Sequence, residues 1–155
     1  MTRYPLLCGF QELVMGNGFL SSVSAYGRAL GVQEDDRGFW IYGVNPGAIA
    51  ESGTTLREAH AKLLRSFHAY LIDVAKEALD FAAFKREVER FFGESDEESH
   101  REWLEAVALV RAKKVEIEDL PKDSADKPVW IRVIEIAKPS AKQNALEDDK
   151  PKLAA

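Results

Sequence analysis

The stretch Phe39-Trp40-Ile41-Tyr42-Gly43-Val44 decides the fold, because aromatic and β-branched residues fill all but one of its positions and such residues favour strands. The polar segment 34–38 turns the chain before it, and Asn45-Pro46-Gly47 ends it. In the preceding segment, residues 21–32, small and apolar residues alternate with polar ones, which is typical of a half-exposed strand. The centre of the first fifty residues is therefore predicted to be antiparallel sheet.

A hairpin is predicted earlier in the chain, where two extended runs meet at Gly16-Asn17-Gly18. The first run extends from Phe10 to Met15, and the second begins at Phe19. Asparagine and glycine tolerate the positive φ angles of the tightest hairpin turns. We therefore expect the two runs to pair as antiparallel neighbours.

After the strands, the hydrophobic period changes to that of a helix. Thr55 and Glu58 have the S/T-x-x-E spacing of a capping box, in which each side chain accepts a hydrogen bond from a free backbone N–H. The apolar residues that follow share one helix face: Leu56, Leu63, Leu64, Phe67, Leu71, Val74 and Ala78. This pattern predicts a long amphipathic helix that packs on one face of the sheet.

The rest of the chain adds helices and one further strand. Residues 80–92 predict a second helix, and Ser95 with Glu98 forms another capping box that predicts a third, so that 80–112 is expected to be a helical hairpin. Residues 115–118 alternate like a short strand, and 128–137 predict a strand that returns to the sheet. We expect an α+β fold in a single domain over 1–137, in which the long helix packs on one face of an antiparallel sheet, with an added helical hairpin and a C-terminal strand. Residues 138–155 lack apolar periodicity and are predicted to be disordered.

Composition narrows the classes of function. The formal net charge of −5 argues against broad attachment to nucleic acid or to an anionic membrane, both of which require a basic surface, and it favours a basic partner. No apolar run approaches the roughly 20 residues that cross a bilayer, and the early apolar run ends at Gln11 before a secretion signal is complete. With the single Cys8, these features predict a cytoplasmic protein.

The residues that could carry chemistry form no recognisable catalytic or metal-binding pattern. His60 and His68 lie on one side of the predicted helix, but eight residues separate them by roughly 12 Å, too far to share a metal ion. We interpret His60 as a core histidine and Cys8 as a buried, inert thiol. No catalytic residue, cofactor or metal is predicted, although a small ligand-binding protein or enzyme with a pocket around His60 is one alternative.

Three short motifs carry a resemblance to a known family: Asp36-Arg37-Gly38-Phe39-Trp40-Ile41, Pro46-Gly47, and Gly53-Thr54-Thr55-Leu56-Arg57-Glu58-Ala59. Over about residues 22–79, their order resembles the N-terminal domain of HicB-like antitoxins. The resemblance implies a non-catalytic module that binds a small basic RNA-cleaving toxin and covers its active site. Family members commonly add a DNA-binding domain, whereas residues 80–136 contain no basic recognition helix, so DNA binding is not predicted.

Contact residues for such a partner are predicted on two elements. They are the exposed side chains of strand 39–44 and the acidic residues of the third helix, namely Trp40, Tyr42, Glu97, Glu98 and Glu102. A homo-oligomer is the other alternative, in which a second copy pairs with the strand at 129–136 or with the helix that carries Phe81, Phe84 and Phe91.

Overall fold

A computed structural model describes residues 1–115 and 128–137 of the chain. Within these ranges the strands are β1 (Thr2–Gly16), β2 (Phe19–Gln33), β3 (Phe39–Asn45), β4 (Ala50–Gly53) and β5 (Trp130–Ala137). The helices are α1 (Leu56–Glu77), α2 (Phe81–Gly93) and α3 (Glu97–Arg111). The predicted α+β class, with an antiparallel sheet, a long helix on one face and a returning C-terminal strand, is confirmed. The short strand predicted at 115–118 falls almost wholly outside the described residues, and the predicted disordered tail, 138–155, lies entirely outside them.

Strand β2 is the centre of the sheet. It pairs along its whole length with β1, and its opposite edge is shared by two strands that lie end to end. Strand β3 pairs with Arg28–Gln33 and β5 pairs with Leu20–Tyr26, so Gly27 lies at the junction between them. A Cβ atom at Gly27 would lie 2.1 Å from the carbonyl oxygen of Asn45, which explains why glycine occupies this position.

The hairpin turn between β1 and β2 is confirmed at Asn17-Gly18, where Gly18 has a φ of 75°. The turn also contacts α1, because the Asn17 side chain donates to the carbonyl oxygens of Lys76 (3.4 Å) and Ala78 (3.0 Å). These carbonyls lie at the end of the helix, where no further turn can satisfy them. Asn17 therefore joins the tip of the hairpin to the C-terminus of α1.

Helix α1 begins as predicted. The Thr55 hydroxyl accepts from the Glu58 N–H at 3.0 Å, and the Glu58 carboxylate accepts from the N–H (3.0 Å) and hydroxyl (2.5 Å) of Thr54. These hydrogen bonds from Thr54 lower the pKa of Glu58. The Glu58 carboxylate therefore bonds one residue earlier in the chain than the capping box predicts.

The main core lies between the sheet and helices α1 and α2. Phe19 of β2 packs against Phe84 of α2, and Tyr70 of α1 stacks on Phe91 of α2. Phe84 and Phe91 of α2 are thus buried within the chain, which argues against the alternative in which this helix pairs with a second copy. The buried residues of α1 follow the predicted period: Leu56, Ala59, Leu63, Phe67, Leu71 and Ala75.

A second, smaller core lies on the other face of the sheet, under α3. Trp103 is buried there against Leu30 and Val32 of β2 and Val44 of β3, and its indole N–H donates to the carbonyl oxygen of Leu6 at 3.1 Å. Helices α2 and α3 thus lie on opposite faces of the sheet. The sequence patterns predicted the long helix on one face but gave no sign that β2 also carries an apolar surface on its other face.

The start of α3 differs by one residue from the prediction. Asp96, not Ser95, is the N-cap, and its carboxylate accepts from the N–H of Ser99 at 3.3 Å. The Asp96 N–H in turn donates to the carbonyl oxygen of Val44 (3.4 Å), and the Gly47 N–H donates to that of Glu94 (3.1 Å). These bonds attach the N-terminus of α3 to the end of β3.

Candidate protein-binding site

Two aromatic side chains form an exposed pair on β3. Trp40 and Tyr42 alternate with the buried Ile41, so they project from the face of the sheet that carries α3. Each is 37% exposed, and their rings stack with centroids 6.2 Å apart and planes inclined by 17°. Both residues were predicted as contact residues, and the structure places them side by side.

Strand β3, which carries this aromatic pair, is hydrogen-bonded to a strand on each side. Trp40 lies opposite Val32 of β2 and Ser52 of β4, and Tyr42 lies opposite Leu30 and Ala50. Since Leu30 and Val32 are buried under α3, the pair lies between this helix and the short strand β4. The neighbouring strands therefore hold the backbone of both aromatic residues in place. This lowers the conformational entropy that the pair loses when a partner binds.

The predicted acidic residues lie on α3, which packs on the same face. Glu97 and Glu98 occupy its exposed first turn, where the helix dipole favours negative charge. Hydrogen bonds from Ser99 lower the pKa of the neighbouring Asp96. Glu102 is less exposed and pairs with Arg3 of β1 at 3.6 Å. All five predicted residues thus belong to one face of the sheet, although Glu102 already has a partner within the chain.

A cleft at the far end of α3 was not predicted. It has a volume of about 200 Å³ and lies between the start of β1 and the last turns of the helix. Arg3, Glu102 and Glu105 form its polar side, and Ala106 and Leu109 form its apolar side. Its lining comes from residues about a hundred positions apart in the sequence, so no local motif could have indicated it.

The junction between β3 and β5 holds only a small cavity. Its volume is about 10 Å³, close to the space that one water molecule occupies. Arg28 borders it, with its guanidinium 4.8 Å from the centre of the Trp103 ring and its Nε buried without a hydrogen-bond partner among the described residues. The cavity is too small to hold an organic substrate.

The titratable residues considered from sequence do not come together. His60 is half-buried, burial lowers its pKa, and it lines neither of these two cavities. His68 is more exposed and contacts the Glu12 carboxylate of β1. Cys8 is buried in the main core, and burial raises the pKa of its thiol to about 12. Within residues 1–115 and 128–137, no cluster of histidine, cysteine and carboxylate side chains could hold a metal ion.

The comparisons with known proteins found no relative of the chain. No protein-family model matches the chain, and no curated protein or solved structure matches it either. Across the part of the chain that is described, none of the helices combines the length and the apolar character needed to span a membrane.

Proposed function

We propose that the chain is a non-catalytic, cytoplasmic protein-binding module of the HicB-like antitoxin type, which neutralises a small basic RNA-cleaving toxin. The observation that carries the proposal is the exposed stack of Trp40 and Tyr42 on the same face as the acidic helix α3. The role itself comes from the resemblance of residues 22–79 to that family. The structure adds a surface that is suited to it.

The aromatic pair has the properties of a binding anchor. Tryptophan and tyrosine are enriched among the few interface residues that dominate binding energy, because they bury a large apolar area at a small entropic cost. Their stacking and the strands on either side hold Trp40 and Tyr42 in place before binding. Burial of the pair under a partner therefore supplies the main apolar contact of the proposed interface.

The negative charge near the aromatic pair favours a basic partner. Glu97 and Glu98 are exposed on α3, and the whole chain carries a net charge of −5. Like charges across an interface repel, whereas a basic partner is attracted and its association accelerated. An RNA-cleaving protein needs a basic surface to bind its substrate, so a chain that covers this surface competes directly with RNA.

The test is a pull-down of the tagged full chain from its native host at moderate salt. The expected result is a small basic protein in stoichiometric amount, which cleaves RNA once freed and loses that activity when the chain is added back. The double variant Trp40→Ala/Tyr42→Ala should fail to retain it. Leu79→Ala is the control, because Leu79 is exposed and follows α1, which packs on the opposite face of the sheet from α3.

The charge requirement is tested separately with Glu97→Gln/Glu98→Gln. Since both carboxylates are exposed, their removal should slow association and reduce its dependence on salt without unfolding the chain. Retention of an equally strong complex by the Trp40→Ala/Tyr42→Ala variant would contradict the proposed site. A captured protein that is acidic or leaves RNA intact would contradict the proposed function.

A further inference from the structure

A second exposed surface lies at the opposite end of the sheet from the interface with α3. Its large apolar side chains come from β1 and β5, and they are Leu13, Met15, Trp130, Ile134 and Ile136. They project from the face opposite α1 and α2, and α3 packs farther along β2. We call this the open apolar face.

The register of the strands determines which side chains are neighbours on the open apolar face. Leu13 of β1 and Ile134 of β5 both lie opposite Ser22 of the central strand β2. Ser24 occupies the next position on the same side of β2. Large apolar side chains therefore flank the central strand at Ser22, whereas Gln11 and Arg132 flank it at Ser24.

The open apolar face supplies more than half of the area that a standard interface takes from one partner. Its five large apolar side chains are between 41% and 72% exposed. Side chains of this size present up to roughly 200 Å² each, so together they expose on the order of 500 Å², comparable to the largest apolar patch of a typical monomer. A standard interface takes about 800 Å² from each partner, and the half-buried Leu20 and Tyr26 on the same face add to the area that a second copy can cover.

The charge and shape of the face indicate its occupant. In the described part of the chain, Arg132 is the one charged residue on it, and its guanidinium lies 5.5 Å from the centre of the Trp130 ring. A charged partner therefore finds no complementary pattern there. A two-fold axis, in contrast, lets the apolar side chains around Ser22 of one copy pack against the same side chains of the other, so that one patch serves both copies.

We propose that the open apolar face is the interface of a homodimer. It is separate from the surface that carries Trp40 and Tyr42, so a dimer presents two partner-binding sites. The two proposals stand independently, because one concerns β3 and α3 and the other concerns β1, β2 and β5.

The experiment is light scattering coupled to size-exclusion chromatography of the full chain over a range of concentrations. The expected mass is twice the monomer mass of 17.3 kDa. Met15→Glu and Ile134→Glu each place a charge on the open apolar face and should return the mass to that of the monomer. Both side chains are exposed, so circular dichroism and thermal unfolding should show an intact fold. Leu79→Glu is the matched control, because Leu79 is 88% exposed but follows α1, and this variant should stay dimeric.

Three results would overturn the dimer. The first is a monomeric full chain at the highest concentration tested. The second is a dimer that survives both glutamate variants, which would place the contact elsewhere. The third is a monomeric full chain that becomes dimeric after removal of residues 138–155, which would make the C-terminal segment the occupant of the face.

Discussion

Replacement of Trp103 by alanine tests how firmly α3 is attached to the sheet. The side chain is 2% exposed, and its indole N–H donates to the carbonyl oxygen of Leu6. Truncation of a buried tryptophan costs about 3–5 kcal/mol through lost burial and the cavity left behind. The substitution also removes the indole donor and the ring under the Arg28 guanidinium, so we expect a loss of about 4 kcal/mol, in the middle of that range. In a chain of this length, such a loss lowers Tm by roughly 8–16 °C.

The assay is urea unfolding followed by far-ultraviolet circular dichroism. Trp103→Phe retains a ring but removes the donor, so it should cost about 1–3 kcal/mol. Leu104→Ala is the matched control in the same helix, because Leu104 is exposed and alanine is an equally good helix former. It should change the free energy of unfolding by less than about 0.5 kcal/mol. Equal losses for Trp103→Ala and Leu104→Ala would refute the packing of α3 on the second face of the sheet.

Three further predictions concern individual groups. Asn17→Ala removes two hydrogen bonds to the end of α1 and should lower the free energy of unfolding by about 1 kcal/mol, measured by urea unfolding. Cys8, with its buried thiol and pKa of about 12, should react with a thiol reagent at mildly alkaline pH only after unfolding, and fast reaction in the native state would contradict its burial. The Thr54 hydrogen bonds lower the pKa of Glu58 below 4.5, so their stabilisation is present above that pH and is lost as the pH falls through the folded-state pKa. Glu58→Gln should therefore show a smaller loss of Tm on acidification than the unchanged chain.

The parts of the fold that depend on local patterns are predictable from sequence. The hairpin turn at Asn17-Gly18, the strand at 39–44 and the capped start of α1 each follow from a few neighbouring residues. The strand at 129–136 was also predicted, because its residues are strongly β-forming.

The long-range arrangement was not predictable in the same way. Strand β1 begins at Thr2, although the sequence indicated a start near Phe10, because pairing with β2 as far as Gln33 extends it. The division of the opposite edge of β2 between β3 and β5 depends on residues that are a hundred positions apart. The packing of Trp103 against β2 and β3 likewise joins residues that are distant in sequence, so no local pattern predicts it.

The candidate site was predictable in composition but not in geometry. Trp40 and Tyr42 could be placed on the exposed side of a strand by alternation, and the acidic residues could be placed on a helix by their period. Their position on one face depends on the hydrogen bonds that join the start of α3 to Val44 and Gly47. The pairing of Glu102 with Arg3 joins residues that are far apart in the sequence, and no sequence pattern indicates it.

The most direct test of the proposed function is a titration of the recovered basic protein with the chain, with RNA cleavage as the readout. We expect complete inhibition at an equimolar ratio of subunits, and an inhibition curve shifted at least tenfold to higher concentration for Trp40→Ala/Tyr42→Ala. Such a shift corresponds to a loss of about 1.4 kcal/mol or more in binding free energy. Undiminished RNA cleavage in the presence of excess chain would contradict the proposed function.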